Sequence, residues 1–195
     1  NRRQRQMCIR DRYGTRIGII DEPDQPAQPM MAMTYSSFAA KAKAMAKGFE
    51  ELGVAQQGRV AMVSHNASRM LTFLFGTAAW GRIGVPINFR LNHEEISYII
   101  EHSGAEVLIV DPELEDTLKE VKVKHFFCMG RDSDEVLFKA CEPAPWVPDE
   151  DATATINYTS GTTARPKGVE MTHRMLWTNA AIFGCLLYTS DAADD

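Results

Sequence analysis

Four short, nearly continuous apolar runs alternate with helix-patterned stretches along this chain, and that alternation constrains its fold more than any other feature. The runs are Arg59–Ser64, Val85–Asn88, Glu106–Val110 and His125–Cys128. Continuous apolar strands are buried on both faces, the pattern of a parallel sheet covered by helices. The first helical stretch starts at Ser36. In it Phe38, Ala42, Met45, Ala46, Phe49 and Leu52 recur at three- and four-residue intervals, and Gly53 follows as a stop. A second helix is predicted from about Ser68 to Trp80. Asn92 and Glu95 form a capping-box pair that opens a third, which ends before Gly104. A charged helix near 113–120 and a sparser one near 132–140 complete the alternation. The segment 21–34, rich in Pro, Gln and Asp, reads as irregular, and Cys141–Asp151 as a Pro-rich acidic connector. The fold class expected is α/β, layered βαβ units with a mainly parallel sheet. Function does not follow from that pattern.

Composition narrows the functions. The 195 residues are 45% hydrophobic and 24% charged, as in ordinary globular domains, and the net charge of −5 argues against a nucleic-acid surface. The four cysteines, Cys8, Cys128, Cys141 and Cys185, have no C-x-x-C spacing and read as reduced thiols of a cytoplasmic protein. His65, His93, His102, His125 and His173 form no paired-ligand motif, so no protein-ligated metal site is expected. The most apolar stretch, Leu71–Ile87, is broken by Arg82 and three glycines, so no transmembrane segment is expected.

Both ends differ in character from the rest. Residues 1–12 (NRRQRQMCIRDR) and 185–195 (CLLYTSDAADD) resemble translated adaptor sequence and are set aside as non-native tracts, leaving 13–184 as the folding unit.

After the connector comes a β-rich run, Thr153–Tyr158, then Thr159-Ser-Gly-Thr-Thr-Ala-Arg-Pro-Lys-Gly168, then Val169–His173 leading into a helix. Glycines let a backbone approach a ligand closely, and hydroxyls and free N–H groups donate to phosphate oxygens. Lys167 adds a positive charge, and Pro166 stiffens the loop before it. Such a loop suits a polyphosphate. The Walker pattern G-x-x-x-x-G-K-[ST] fails, because Pro166 replaces its second glycine and Gly168 its hydroxyl residue. A passive polar hairpin is the bland alternative.

YTSGTTARPKGVEMTH resembles the phosphate-binding loop of the adenylate-forming superfamily, which includes acyl-CoA synthetases, luciferases and peptide-synthetase adenylation domains. The common form is YTSGTTGxPKGV followed by a histidine; Ala164 stands here where glycine or serine is usual. The resemblance covers nearly all of 34–184, in order, and implies part of the large N-terminal domain of such an enzyme.

The resemblance implies a two-step ATP-dependent reaction. A carboxylate attacks the α-phosphate of Mg-ATP, giving an acyl-adenylate and pyrophosphate, and a thiol, usually of coenzyme A, then displaces AMP. On this resemblance Thr159, Ser160, Gly161, Thr162, Thr163 and Lys167 hold the β- and γ-phosphates. The family's adenylation lysine, ribose-binding aspartate, magnesium-binding glutamate and most of its acyl pocket have no counterpart in this chain, so no catalytic residue is assigned and the 195 residues alone are expected to be inactive and poorly soluble. The carboxylic acid is expected to be fatty or otherwise apolar. An adenylation domain of a peptide synthetase, a luciferase-type oxygenase and a non-catalytic nucleotide-binding fragment are the alternatives. His173 is expected to be structural, Tyr158 and Trp177 to be packing residues, and His65 and Asn66 to lie at a strand end where α/β sheets place ligands.

Overall fold

A computed structural model describes residues 11–131, 133–159 and 165–191, with side chains to 183. The apolar runs become β3 (Arg59–Ser64), β4 (Ile83–Asn88), β5 (Val107–Val110) and β6 (His125–Cys128). They join β7 (Thr153–Thr159) and β8 (Lys167–Thr172) in one sheet of order β6-β5-β3-β4-β7-β8. Pairing is parallel from β6 to β7, and β8 turns back antiparallel on β7. A separate antiparallel ladder, β1 (Ile17–Ile19) with β2 (Met33–Thr34), brackets the irregular segment. Its strands of three and two residues were not foreseen, being too short to show a periodicity.

Period-2 alternation on these strands sorts the core into two layers. Val60, Met62, Val107 and Ile109 face α1 (Tyr35–Glu51), α2 (Ser68–Ala78) and α5 (Ser133–Leu137), meeting Met45, Phe49, Phe73 and Leu137. Ala61, Val63, Val85, Leu108 and Val110 face the other way, onto Ile96, Ile99 and Ile100 of α3 (His93–Ser103) and Leu118 of α4 (Glu115–Leu118). Burial on both sides is why these runs are uninterrupted by polar residues.

The helix ends follow local chemistry. Thr34 accepts the Ser37 N–H at 3.1 Å and caps α1. The capping box of α3 forms as the sequence predicts, the Glu95 N–H donating to Asn92 Oδ1 at 2.9 Å and the Asn92 N–H to Glu95 Oε2 at 3.0 Å; Gly104 ends the helix at φ 65°. The helix expected at 113–120 is a 3₁₀ turn at Pro112–Leu114 followed by the four residues of α4. Asp21, nearly buried, ties the irregular segment down by accepting N–H groups of Ser68 (2.8 Å) and Met30 (2.6 Å).

The last helix, α6 (His173–Asp191), and β8 lie at the free side of the sheet. Val169, Met175, Ile182 and Phe183 are exposed. Trp177, expected to pack, is 61% exposed, because nothing among the described residues lies against that face of α6. No described helix is long and apolar enough to cross a membrane.

Candidate functional site

β3 is followed by α2 on one face of the sheet and β4 by α3 on the other. In the order β6-β5-β3-β4, β3 connects one way to β4 and β5 the other way to β6, so the carboxyl ends of β3 and β5 flank a topological switch point, where open α/β sheets bind ligands. β7 runs parallel to β4, through the pair Gly84 and Thr155, so Thr159 leaves the sheet at this same edge. Pro86, two positions beyond Gly84, has no N–H to extend the seam with β7.

Thr159 and Lys167 pair across the antiparallel β7–β8 ladder and are both exposed. The structure thus brings together these two of the six residues expected to hold phosphate, as the two stems of one hairpin. Ser160, Gly161, Thr162 and Thr163 lie outside the described residues, as do most of the two terminal tracts, 1–10 and 192–195.

The carboxyl edge carries a second group. The His65 N–H donates to Asp111 Oδ2 at 2.7 Å, and His65 Nε2 lies 2.6 Å from Glu113 Oε1. The ring stacks on Phe89 at 3.7 Å between centroids, and the Arg90 guanidinium lies 5.3 Å from the Phe89 centroid. Burial pushes the Asp111 carboxyl above the ordinary carboxylate range, against the His65 N–H that favours its charge. His65 and Asn66 are at the strand end, as the sequence implies; nothing in the sequence linked His65 to residues 46 and 48 positions on.

Four side chains absent from the expected site meet at the hairpin. Tyr158, expected only to pack, also bonds His102 Nδ1 through its hydroxyl at 2.8 Å, and burial pushes its phenol upward. Arg165 lies over the Tyr98 ring at 5.3 Å. The sequence signal was slight: Tyr98 and His102 share a face of α3 at i, i+4, a spacing that commonly marks a solvated stripe.

His173 opens α6. Its backbone N–H donates to Ala152 O at 3.2 Å, and its ring lies 5.3 Å from Trp146. Burial holds its pKa below the ordinary imidazole value, and its buried Nε2 has no hydrogen-bond partner among the described residues. Among those residues no group of three or more His, Cys, Asp or Glu side chains is placed to hold a metal ion.

The paired stems Thr159 and Lys167 stand at the carboxyl edge of a parallel sheet, and the family model described as AMP-binding enzyme matches residues 16–195. The chain belongs to that family. A 4-hydroxybutyrate–CoA ligase of Metallosphaera sedula is 32% identical over 169 residues, 75% of this chain and 31% of the ligase. The solved N-terminal domain of FACL13 from Mycobacterium tuberculosis superposes with a TM-score of 0.66 at 34% identity, covering 73% of this chain and 38% of that one. A long-chain-fatty-acid–CoA ligase of Archaeoglobus fulgidus gives a TM-score of 0.75 at 25% identity, covering 87% of this chain and 36% of its own. The chain spans about a third of the length of the curated relatives it matches. The fold is that of the N-terminal domain of adenylate-forming enzymes.

Proposed function

We propose that this chain is the phosphate-loop part of an ATP-dependent carboxylate–CoA ligase, which forms an acyl-adenylate and then an acyl-CoA thioester. The observation that carries the reading is the hairpin joining Thr159 to Lys167 at the carboxyl edge of the sheet. The CoA ligases among the matching relatives give it a chemistry. In this reading the hydroxyls of Thr159, Ser160, Thr162 and Thr163, the backbone at Gly161 and the Lys167 ammonium bind the β- and γ-phosphates. They position the α-phosphate for in-line attack by the substrate carboxylate and neutralise the departing pyrophosphate. Magnesium enters with ATP as part of the substrate, since ATP-bound Mg²⁺ takes most of its ligands from phosphate and water. Coenzyme A is the second substrate. A fatty or other apolar acid is the proposed carboxylate, consistent with the long-chain fatty-acid ligases among the relatives, and the cytoplasm the proposed location.

The 195 residues alone are proposed to bind polyphosphate without adenylating, a reading favoured by their spanning a third of the relatives. The test is titration of the chain with ATP and with tripolyphosphate. Lys167→Ala is expected to weaken both about tenfold, one charge-assisted contact. Equal affinity of wild type and variant refutes the phosphate assignment. In a protein of the relatives' full length, pyrophosphate release dependent on an apolar acid tests the reaction.

A further inference from the structure

The two stems of the hairpin lead toward the same helix. On the β7 side, the Tyr158 hydroxyl reaches His102 Nδ1 at 2.8 Å. Tyr158 pairs in register with Gly168, and a Cβ there would press on the phenol ring at 3.1–3.3 Å, tighter than ordinary contact. Glycine at 168 therefore clears the space through which Tyr158 reaches α3. On the β8 side, the Arg165 guanidinium lies 5.3 Å from the Tyr98 centroid. Tyr98 and His102 are themselves in contact, with ring centroids 5.3 Å apart, so the two anchors form one aromatic strip.

We propose that Tyr98 and His102 of α3 are positioning residues for the phosphate hairpin, fixing its two stems so that Thr159 and Lys167 converge on a polyphosphate. This rests on the phosphate-loop reading above. α3 follows β4, the strand beside β7, and packs on the same face. A hairpin joined to the parallel sheet through the pair Gly84 and Thr155 gains its orientation from these side chains instead. The anchors touch the stems and not the phosphate, so they act on affinity through preorganisation.

The test uses the full chain with four variants: Tyr98→Leu, Tyr98→Phe, His102→Ala and His102→Gln. Phenylalanine keeps the ring face for Arg165, and glutamine keeps a polar partner for the Tyr158 hydroxyl. Tripolyphosphate affinity is titrated, and amide hydrogen exchange is followed at Tyr158, Thr159 and 167–169 without ligand. Tyr98→Leu and His102→Ala are expected to weaken binding about fivefold each and to speed exchange at the stems, while the two conservative variants stay near wild type. Unchanged binding and exchange in the leucine and alanine variants overturn the proposal, as does an equal loss in all four. If the wild-type chain fails to bind tripolyphosphate, the phosphate-loop reading falls. Exchange then decides the anchoring alone: faster stems in the leucine and alanine variants support it, and unchanged stems refute it.

Discussion

Gly48 lies buried in α1, where its Cα faces the backbone of α5. An added Cβ would overlap the carbonyl oxygen of Leu137 and sit 3.0 Å from its Cα. The same seam carries a hydrogen bond, Lys139 N to Ala44 O at 3.0 Å, one turn away. Alanine in place of glycine raises helix propensity by about 1 kcal/mol. Overpacking costs about 1–3 kcal/mol, and the upper end applies because the obstacle is backbone and not a side-chain tip. Moving α5 aside also strains the Lys139–Ala44 bond, worth about 1 kcal/mol. Gly48→Ala should therefore lose about 3 kcal/mol, a fall of roughly 6–12 °C in Tm for a chain of this size. Urea unfolding followed by tryptophan fluorescence measures it. Gly53→Ala is the control: its φ of 77° strains an alanine by about 1–2 kcal/mol, but no atom lies within 4 Å. A Gly48→Ala protein as stable as wild type, or more stable than Gly53→Ala, would refute close packing of α1 on α5.

Asn92→Ala removes the N-cap of α3 and should cost about 1 kcal/mol, read as a lower urea midpoint with an unchanged slope. Burial pushes the Cys128 thiol up to about 11, so in a Cys8→Ser, Cys185→Ser background an aromatic disulfide reagent at pH 8 should modify exposed Cys141 at once and Cys128 only on unfolding. Burial raises the Asp21 carboxyl, but the N–H groups of Ser68 and Met30 outweigh it and hold the pKa below the ordinary value. A depressed folded pKa gives stability that is present above the unfolded value, about pH 4, and is lost as pH falls through the folded one. Asp21→Asn should thus flatten the acid limb of a stability–pH profile below about pH 4, and an unchanged limb would refute the assignment.

The core was legible because its physics is local and periodic. β3 and β6 appear with the bounds read from the sequence, and α3 begins and ends where Asn92, Glu95 and Gly104 dictate. Elements made by tertiary pairing were not legible: β1 and β2 are too short to show a period, and their partners are 17 and 14 residues apart. Trp177 misled because a large apolar residue signals burial without naming its partner. At the candidate site, the resemblance named Thr159 and Lys167 among six residues, and the structure pairs these two as the stems of one hairpin. The flanking set of Tyr98, His102 and Arg165 depends on contacts across 56 and 67 positions, and a single sequence carries no trace of such pairings.

The single registered pair between β4 and β7 has a kinetic consequence. Strands β3 to β6 are linked by short crossovers and can assemble early, whereas β7 must find β4 across the whole of α3, β5, β6 and the connector. Closing so long a loop is entropically slow and is rewarded by few hydrogen bonds. Under mechanical pull from the β8 side, or in dilute denaturant, β7, β8 and α6 should come away as one unit while the four-stranded nucleus holds. The hairpin proposed to meet phosphate would then be the last part to fold and the first to yield.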